Sequence, residues 1–238
     1  MNAERVTDIL GTLWARCPDG VGLSDALVGL CVRTLPVNGA GMALMTVDGP
    51  AGTIAASDEL ARELEELQFT LGEGPCVDAS RTGRPVLVPD LARHAPDRWP
   101  AFTGGARDAG LRAVFAFPLR VGGIRLGVLD LYRGSIGVLA PTELADALAF
   151  ADAATLLLMH QEADATGGET PSHALPVLDD RAEVHQATGV ISVQAGVSLQ
   201  QALSLLRARA FAEQRPIRLV AQDVLNGAVC FGQESDDE

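Results

Sequence analysis

Glu183-Val184-His185-Gln186-Ala187-Thr188-Gly189-Val190-Ile191-Ser192-Val193-Gln194 sets the frame for the stretch from Arg181 to Phe231. Val184, Ala187, Thr188, Ile191 and Ala195 recur at helical spacing and form one apolar stripe. A second stripe follows in Leu199, Ala202, Leu203, Leu206 and Ala210, on a helix running from Ser198 to about Gln214. Ser198-Leu199-Gln200-Gln201 fits a capping box that starts it. After Pro216, Ile217, Val220, Ala221, Val224 and Ala228 form a third stripe, on a helix ending near Phe231. Three such stripes bury one another, and the small Ala187, Ala202, Ala210 and Ala221 let the helix axes approach closely. A unit this small has no room for a catalytic pocket, so it points to binding and regulation.

Working back along the chain, Glu162 to Asp180 holds Thr166-Gly167-Gly168-Glu169-Thr170-Pro171-Ser172 and Pro176. Few large apolar residues and many breakers read as a linker. The part before it mixes helical and strand periods. Val6, Ile9, Leu10 and Leu13 have helical spacing, and Ala26, Leu27, Leu30 and Cys31 repeat it after the cap candidate Ser24. Gly39 to Val47, a turn at Asp48-Gly49 and Thr53 to Ala56 read as a hairpin. Val86 to Val88 is a short strand. Val114 to Arg120 and Leu126 to Tyr132 flank Gly122-Gly123 as a second hairpin, and a helix from Thr142 to Gln161 follows. The order is helix, helix, hairpin, irregular middle, hairpin, helix. That is an α+β pattern with helices packed on an antiparallel sheet.

Composition narrows the function. The formal net charge is −13, and all eighteen basic residues are arginine. Such acidity disfavours non-specific binding to phosphate backbones, while a local basic patch still allows a structured target. Cys17, Cys31, Cys76 and Cys230 are widely spaced, with no metal-binding Cys/His spacing, so neither a metal nor another cofactor is expected. The first residues carry no signal-peptide core, and the apolar run Leu144 to Met159 is interrupted by Asp146 and Asp152. A cytoplasmic setting is the simplest expectation.

Gln68, Leu71-Gly72-Glu73-Gly74-Pro75-Cys76, Asp78-Ala79, Pro85-Val86, Asp90-Leu91, Trp99-Pro100, Phe102, Gly110, Pro118-Leu119 and Gly127-Val128-Leu129-Asp130-Leu131-Tyr132 occur in this order. Together they resemble a GAF domain of the type common in actinobacterial regulators. The resemblance implies a central antiparallel sheet with helices on one side and a small-molecule pocket on the other. Glu73, Cys76, Trp99 and Phe102 are the candidate ligand-binding residues. Cys76 has two readings: a sensor thiol, which needs a nearby base or cation, or a small buried apolar residue. Trp99 and Phe102 either stack a ligand or anchor their loop to the core. Some GAF relatives are methionine sulfoxide reductases, but no close cysteine pair supports that chemistry, and no enzymatic activity is expected. In the helix Thr142 to Gln161, Leu144, Leu148, Ala151, Thr155 and Leu158, broadened by Ala147, Phe150, Ala154 and Leu157, form a stripe that predicts a homodimer interface as well as packing on the sheet.

Gln186-Ala187-Thr188-Gly189, Gly196-Val197-Ser198, Ala202, Leu206-Arg207, Ala210 and Ala221-Gln222-Asp223-Val224 resemble an ANTAR domain, a module that binds RNA hairpins in nascent transcripts and prevents terminator formation. The two resemblances divide the chain into a GAF sensor at residues 5–161, a linker at 162–178, an ANTAR domain at 179–231 and an acidic tail at 232–238. Arg207, Arg209, Arg215, Arg218, His185 and Gln186 are the candidate RNA-binding residues. The arginines either form a binding rim or seal the core with their stems. Phe211 lies off the buried stripe, free to stack a base or to pack on a partner. Many family members carry Lys where Thr188 stands and an arginine pair where this chain has Asn226-Gly227-Ala228, so some phosphate contacts are missing. The expected function is a signal-responsive antitermination regulator. The alternative is an interaction module whose ANTAR unit no longer binds RNA strongly.

Overall fold

Five strands form one antiparallel sheet in the order β2-β1-β5-β4-β3. The structure, a computed structural model, describes residues 2–46, 49–95, 97–166 and 182–232. The glycine- and proline-rich stretch 167–181, most of the expected linker, and the tail 233–238 lie outside the described residues. The strands are β1 (Gly39–Thr46), β2 (Gly49–Ala56), β3 (Val86–Val88), β4 (Ala113–Val121) and β5 (Ile124–Arg133). Both expected hairpins are present, as β1–β2 and β4–β5. Gly122 opens the second turn with φ 58°, a conformation that costs glycine little. The outer half of β2 is longer than its apolar pattern announced, because pairing with β1 carries Gly49 to Gly52 into the sheet.

Period-two alternation gives the sheet two buried faces. Phe115, Phe117, Leu129 and Leu131 face one side, with Met42. There α1 (Asn2–Arg16), α2 (Leu23–Thr34) and α7 (Pro141–Thr166) cover them. Val114, Ala116, Val128 and Tyr132 face the other side, with Ala43 and Met45. Helix α7 supplies Ala147, Phe150, Ala151, Ala154, Leu157 and Leu158 to the first layer, so most of the expected dimer stripe is used inside the chain. Leu148 stays exposed, as do Leu156 and Met159. Arg5 of α1 pairs with Asp146 of α7 at 2.7 Å.

The expected irregular middle is helical. It contains α3 (Glu59–Leu71), α4 (Pro75–Thr82), the single turn α5 (Leu91–His94) and α6 (Pro100–Asp108). Asp58 caps α3 by accepting from the Ala61 amide at 2.8 Å. The glycines and prolines that read as breakers sit between these helices: Gly72 ends α3 at φ 65°, and Pro75 stands in the first turn of α4. Ser24 is not the cap of α2. Gly22, in the left-handed region, holds that place, and Ser24 is buried in the first turn.

The C-terminal unit comprises α8 (Ala182–Ala195), α9 (Leu199–Glu213) and α10 (Ile217–Leu225). The chain bends by 105° between α8 and α9. The capping box of Ser198 and Gln201 is formed on both sides. Val184, Ala187, Ile191, Ala202, Leu203, Leu206, Ala210, Ile217, Val220, Ala221 and Val224 make one core. Four stripe members fall outside it: Thr188 is buried but polar, and Ala195 is half-buried. Leu199 is exposed at the first turn of α9, and Ala228 is exposed because α10 stops at Leu225, ahead of the left-handed Gly227. Among the described residues no single helix is long and apolar enough to cross a membrane.

Candidate functional sites of the sensor and helical domains

Beneath α3 lies a polar cluster that is wholly buried. Glu65 and Gln68, one turn apart on α3, face the sheet, where Asp130 and Tyr132 share a face of β5. The Tyr132 hydroxyl donates to Glu65 Oε1 at 2.6 Å. The Gln68 amide nitrogen lies 3.3 Å from the Tyr132 oxygen and 3.5 Å from Asp130 Oδ2. Its amide oxygen accepts from the Cys76 backbone N–H at 2.9 Å, which caps the start of α4. Burial, and next the charge of Glu65 and a hydrogen bond with it, push the Asp130 carboxyl well above the usual range. Burial also pushes the Tyr132 phenol well up. A Cβ at Gly41 would overlap Glu65 Oε1, so β1 needs glycine there to admit the carboxylate.

Of the residues expected to meet a ligand, Cys76 is in this cluster and 1 % exposed. The other three hold the loop beyond it. Glu73 Oε1 accepts from the Ala101 and Phe102 amides at 2.8 and 2.9 Å and so caps α6. Phe102 is fully buried in the core beside it. The Trp99 indole N–H donates to Asp78 Oδ2 at 3.2 Å, and the Arg98 guanidinium, which pairs with the same carboxylate, lies 4.4 Å over the Trp99 ring. The anchoring reading of Trp99 and Phe102 is the one their surroundings match. Sequence reasoning did not single out Glu65, Gln68, Asp130 or Tyr132 as a site. A carboxylate inside the apolar run Leu126 to Tyr132 was the available signal.

On the helical unit the six candidates divide. His185, Gln186, Arg209 and Arg218 are exposed. Gln222 hydrogen-bonds Glu183 at 2.9 Å. Arg218 lies one turn before Gln222 and Gln186 one turn after Glu183, so both flank the seam between α8 and α10. Arg209 pairs with Glu213, and Arg215 bridges Glu213 at 3.1 Å and Asp223 at 2.7 Å. The hydrogen bond from Arg209 is the chief cause that lowers the Glu213 carboxyl, and the one to Asp223 chiefly raises Arg215. Phe211 is 62 % exposed.

Arg207 points elsewhere. Its guanidinium sits 5.4 Å from the Phe69 ring centroid and against Gly72, where a Cβ would lie 2.8 Å from one of its terminal nitrogens. Phe69 belongs to α3 yet is 1 % exposed and packs into the core of α8–α10. The two units therefore share a core residue, and the C-terminal end of α3 lies under α9. Beside this junction Glu59, Arg62, Glu63, Glu66, Leu67 and Thr70 of α3, with Thr53 and Pro216, line a groove of about 390 Å³. Three carboxylates against one arginine give it an anion-repelling wall.

The comparisons with known proteins agree with this architecture. The GAF domain family matches residues 22–159, and the ANTAR domain family matches residues 177–225. No curated protein matches the chain. Among solved structures, the GAF domain of an Acinetobacter phosphoenolpyruvate-protein phosphotransferase is 12 % identical with a TM-score of 0.52, covering 68 % of this chain and 97 % of its own. The GAF domain of a phosphoenolpyruvate-protein phosphotransferase from Coxiella burnetii is 16 % identical with a TM-score of 0.50, covering 70 % of this chain and 99 % of its own. At such identities the likeness shows the fold alone. The family matches carry the assignment: this chain belongs to the GAF family and continues into an ANTAR domain, the organisation of a GAF-ANTAR regulator.

Proposed function

We propose that the chain is a signal-responsive antitermination regulator in which the GAF domain withholds the ANTAR domain from nascent RNA until a signal loosens α3. The observation that carries this reading is the position of Arg207, a candidate RNA contact held over Phe69 at the end of a sensor helix. While it is seated there, that guanidinium is not available to a phosphate or base. The acidic groove alongside opposes RNA further. Release exposes Arg207 and joins it to Arg209, Arg215 and Arg218, with Gln186 flanking the seam of α8 and α10 and His185 exposed on α8. Phe211 supplies an aromatic surface for an unstacked loop base. The undocked units of two chains would then hold a hairpin pair together. The remaining exposed apolar residues of α7, Leu148, Leu156 and Met159, are where we place a homodimer contact.

The test is binding of the purified protein, undocked by Phe69→Ala, to paired-hairpin leader RNAs across a salt series, against scrambled RNA. Paired hairpins bound better than scrambled ones, with affinity falling as salt rises, support the reading. Equal binding to both at every salt concentration sinks it.

A second reading has its own support. Arg209 and Arg215 are held in ion pairs with Glu213 and Asp223, which lowers their value to a phosphate. In that reading the helical unit docks a protein partner, and the variant pair Arg209→Glu and Arg218→Glu leaves regulation untouched.

A further inference from the structure

The cluster beneath α3 has a feature that hydrogen bonding alone does not use. Glu65, Cys76 and Asp130 each offer a ligand atom within 4.8 Å of the other two, and all three are buried. They come from α3, from the first turn of α4 and from β5, so three separate elements converge on one point. Asp130 is fully buried, and its Oδ1 accepts no hydrogen bond. We propose that this cluster is a binding site for one divalent cation of the zinc class. It goes beyond the RNA-binding function and does not depend on it.

The donor set selects the ion. A thiolate beside two carboxylates suits zinc, cobalt or iron(II) and discriminates against magnesium and calcium, which take oxygen ligands alone. The outer partners are in place. Tyr132 donates to Glu65, while Gln68 reaches Asp130 and fixes the backbone of Cys76. Gly41 gives the room that Glu65 needs.

Because the cluster is closed, the ion enters during folding. The full chain, carrying Cys230→Ser to remove the exposed thiol, is unfolded with chelator and refolded with cobalt(II). The expected result is about one cobalt per chain by native mass spectrometry and a thiolate-to-cobalt charge-transfer band. The band disappears in Cys76→Ser. Tyr132→Phe, which removes only an outer partner, weakens cobalt binding by about 10–100-fold, and Asp130→Asn weakens it at least as much. Zinc displaces the band. Refolded protein without cobalt overturns the proposal, and so does a band that survives Cys76→Ser. Should Cys76→Ser fail to regain its circular dichroism, cobalt affinity unchanged in both Tyr132→Phe and Asp130→Asn overturns it equally.

Discussion

Phe69→Ala is the sharpest perturbation of the proposed switch. Phe69 is 1 % exposed, and it lies on α3 while packing into the core of α8–α10. Truncating a buried phenylalanine costs about 3–5 kcal/mol. The cation–π contact with Arg207 adds about 0.5–2 kcal/mol to what is lost. Because the buried partners belong to the other unit, most of this loss falls on docking rather than on either fold. Taking about 3 kcal/mol as the share borne by docking, the docked-to-free ratio falls by about 150-fold, since 1.4 kcal/mol is tenfold. Apparent RNA affinity scales with the competent fraction, so it rises by as much as that ratio where the docked state dominates. Fluorescence anisotropy with a labelled paired-hairpin RNA reads the affinity. Energy transfer between dyes on α7 and α10 reads the separation. A variant that undocks with unchanged RNA affinity refutes the gating argument. A variant that stays docked refutes the assignment of Phe69 as the shared core residue.

Other perturbations test neighbouring parts. Arg218→Glu, on an exposed position, weakens RNA binding and reduces the slope of log affinity against log salt by about one; an unchanged slope removes Arg218 from the interface. Glu73→Ala uncaps α6 and lowers stability by about 1–2 kcal/mol in urea unfolding, with little effect on RNA affinity of the undocked Phe69→Ala background. Asp130→Asn changes the pH dependence of stability. The folded carboxyl is raised, so above the ordinary value of about 3.9 the unfolded chain has lost a proton that the folded chain keeps, and stability falls as pH rises toward the folded value. Asparagine removes that decline, and chemical melts from acid to neutral pH should show a flatter profile than the parent.

The sequence made most of the framework legible because its signals are local. Period two in Val114 to Arg120, the glycine turn after it and the Ser198 capping box each depend on neighbours within a few residues. The middle was harder. Glu59–Leu71 is rich in helix formers, but Gly72, Gly74 and Pro75 follow at once and read as breakage, when they are the punctuation between two helices. The buried cluster depended on contacts between residues far apart in the chain, so no spacing announced it. Arg207 was legible as a cation and illegible as a docked one. Its partner Phe69 stands on the sensor, and a helical pattern says which face is apolar without saying what covers it.

The two sites are mechanically continuous. Gln68 binds Asp130 and Tyr132 with its amide nitrogen and holds the start of α4 with its amide oxygen. The backbone carbonyl of the same residue accepts from the Gly72 N–H that closes α3. Gly72 is in turn the surface on which Arg207 rests, and a Cβ at Gly74 would lie 2.6 Å from the Gln68 amide oxygen. One side chain thus ties the sheet, the end of α3 and the start of α4 to the seat of the ANTAR arginine. An ion or ligand that drew Asp130 away from Gln68 would change the hydrogen bonds that set the α3–α4 turn, and close packing leaves that turn few ways to absorb a shift gradually. Physical coupling requires an element with two arrangements that both sites bias. In the proposed switch the turn from Gln68 to Cys76 is that element: the arrangement seen seats Arg207 over Phe69, and a second would give it up to RNA.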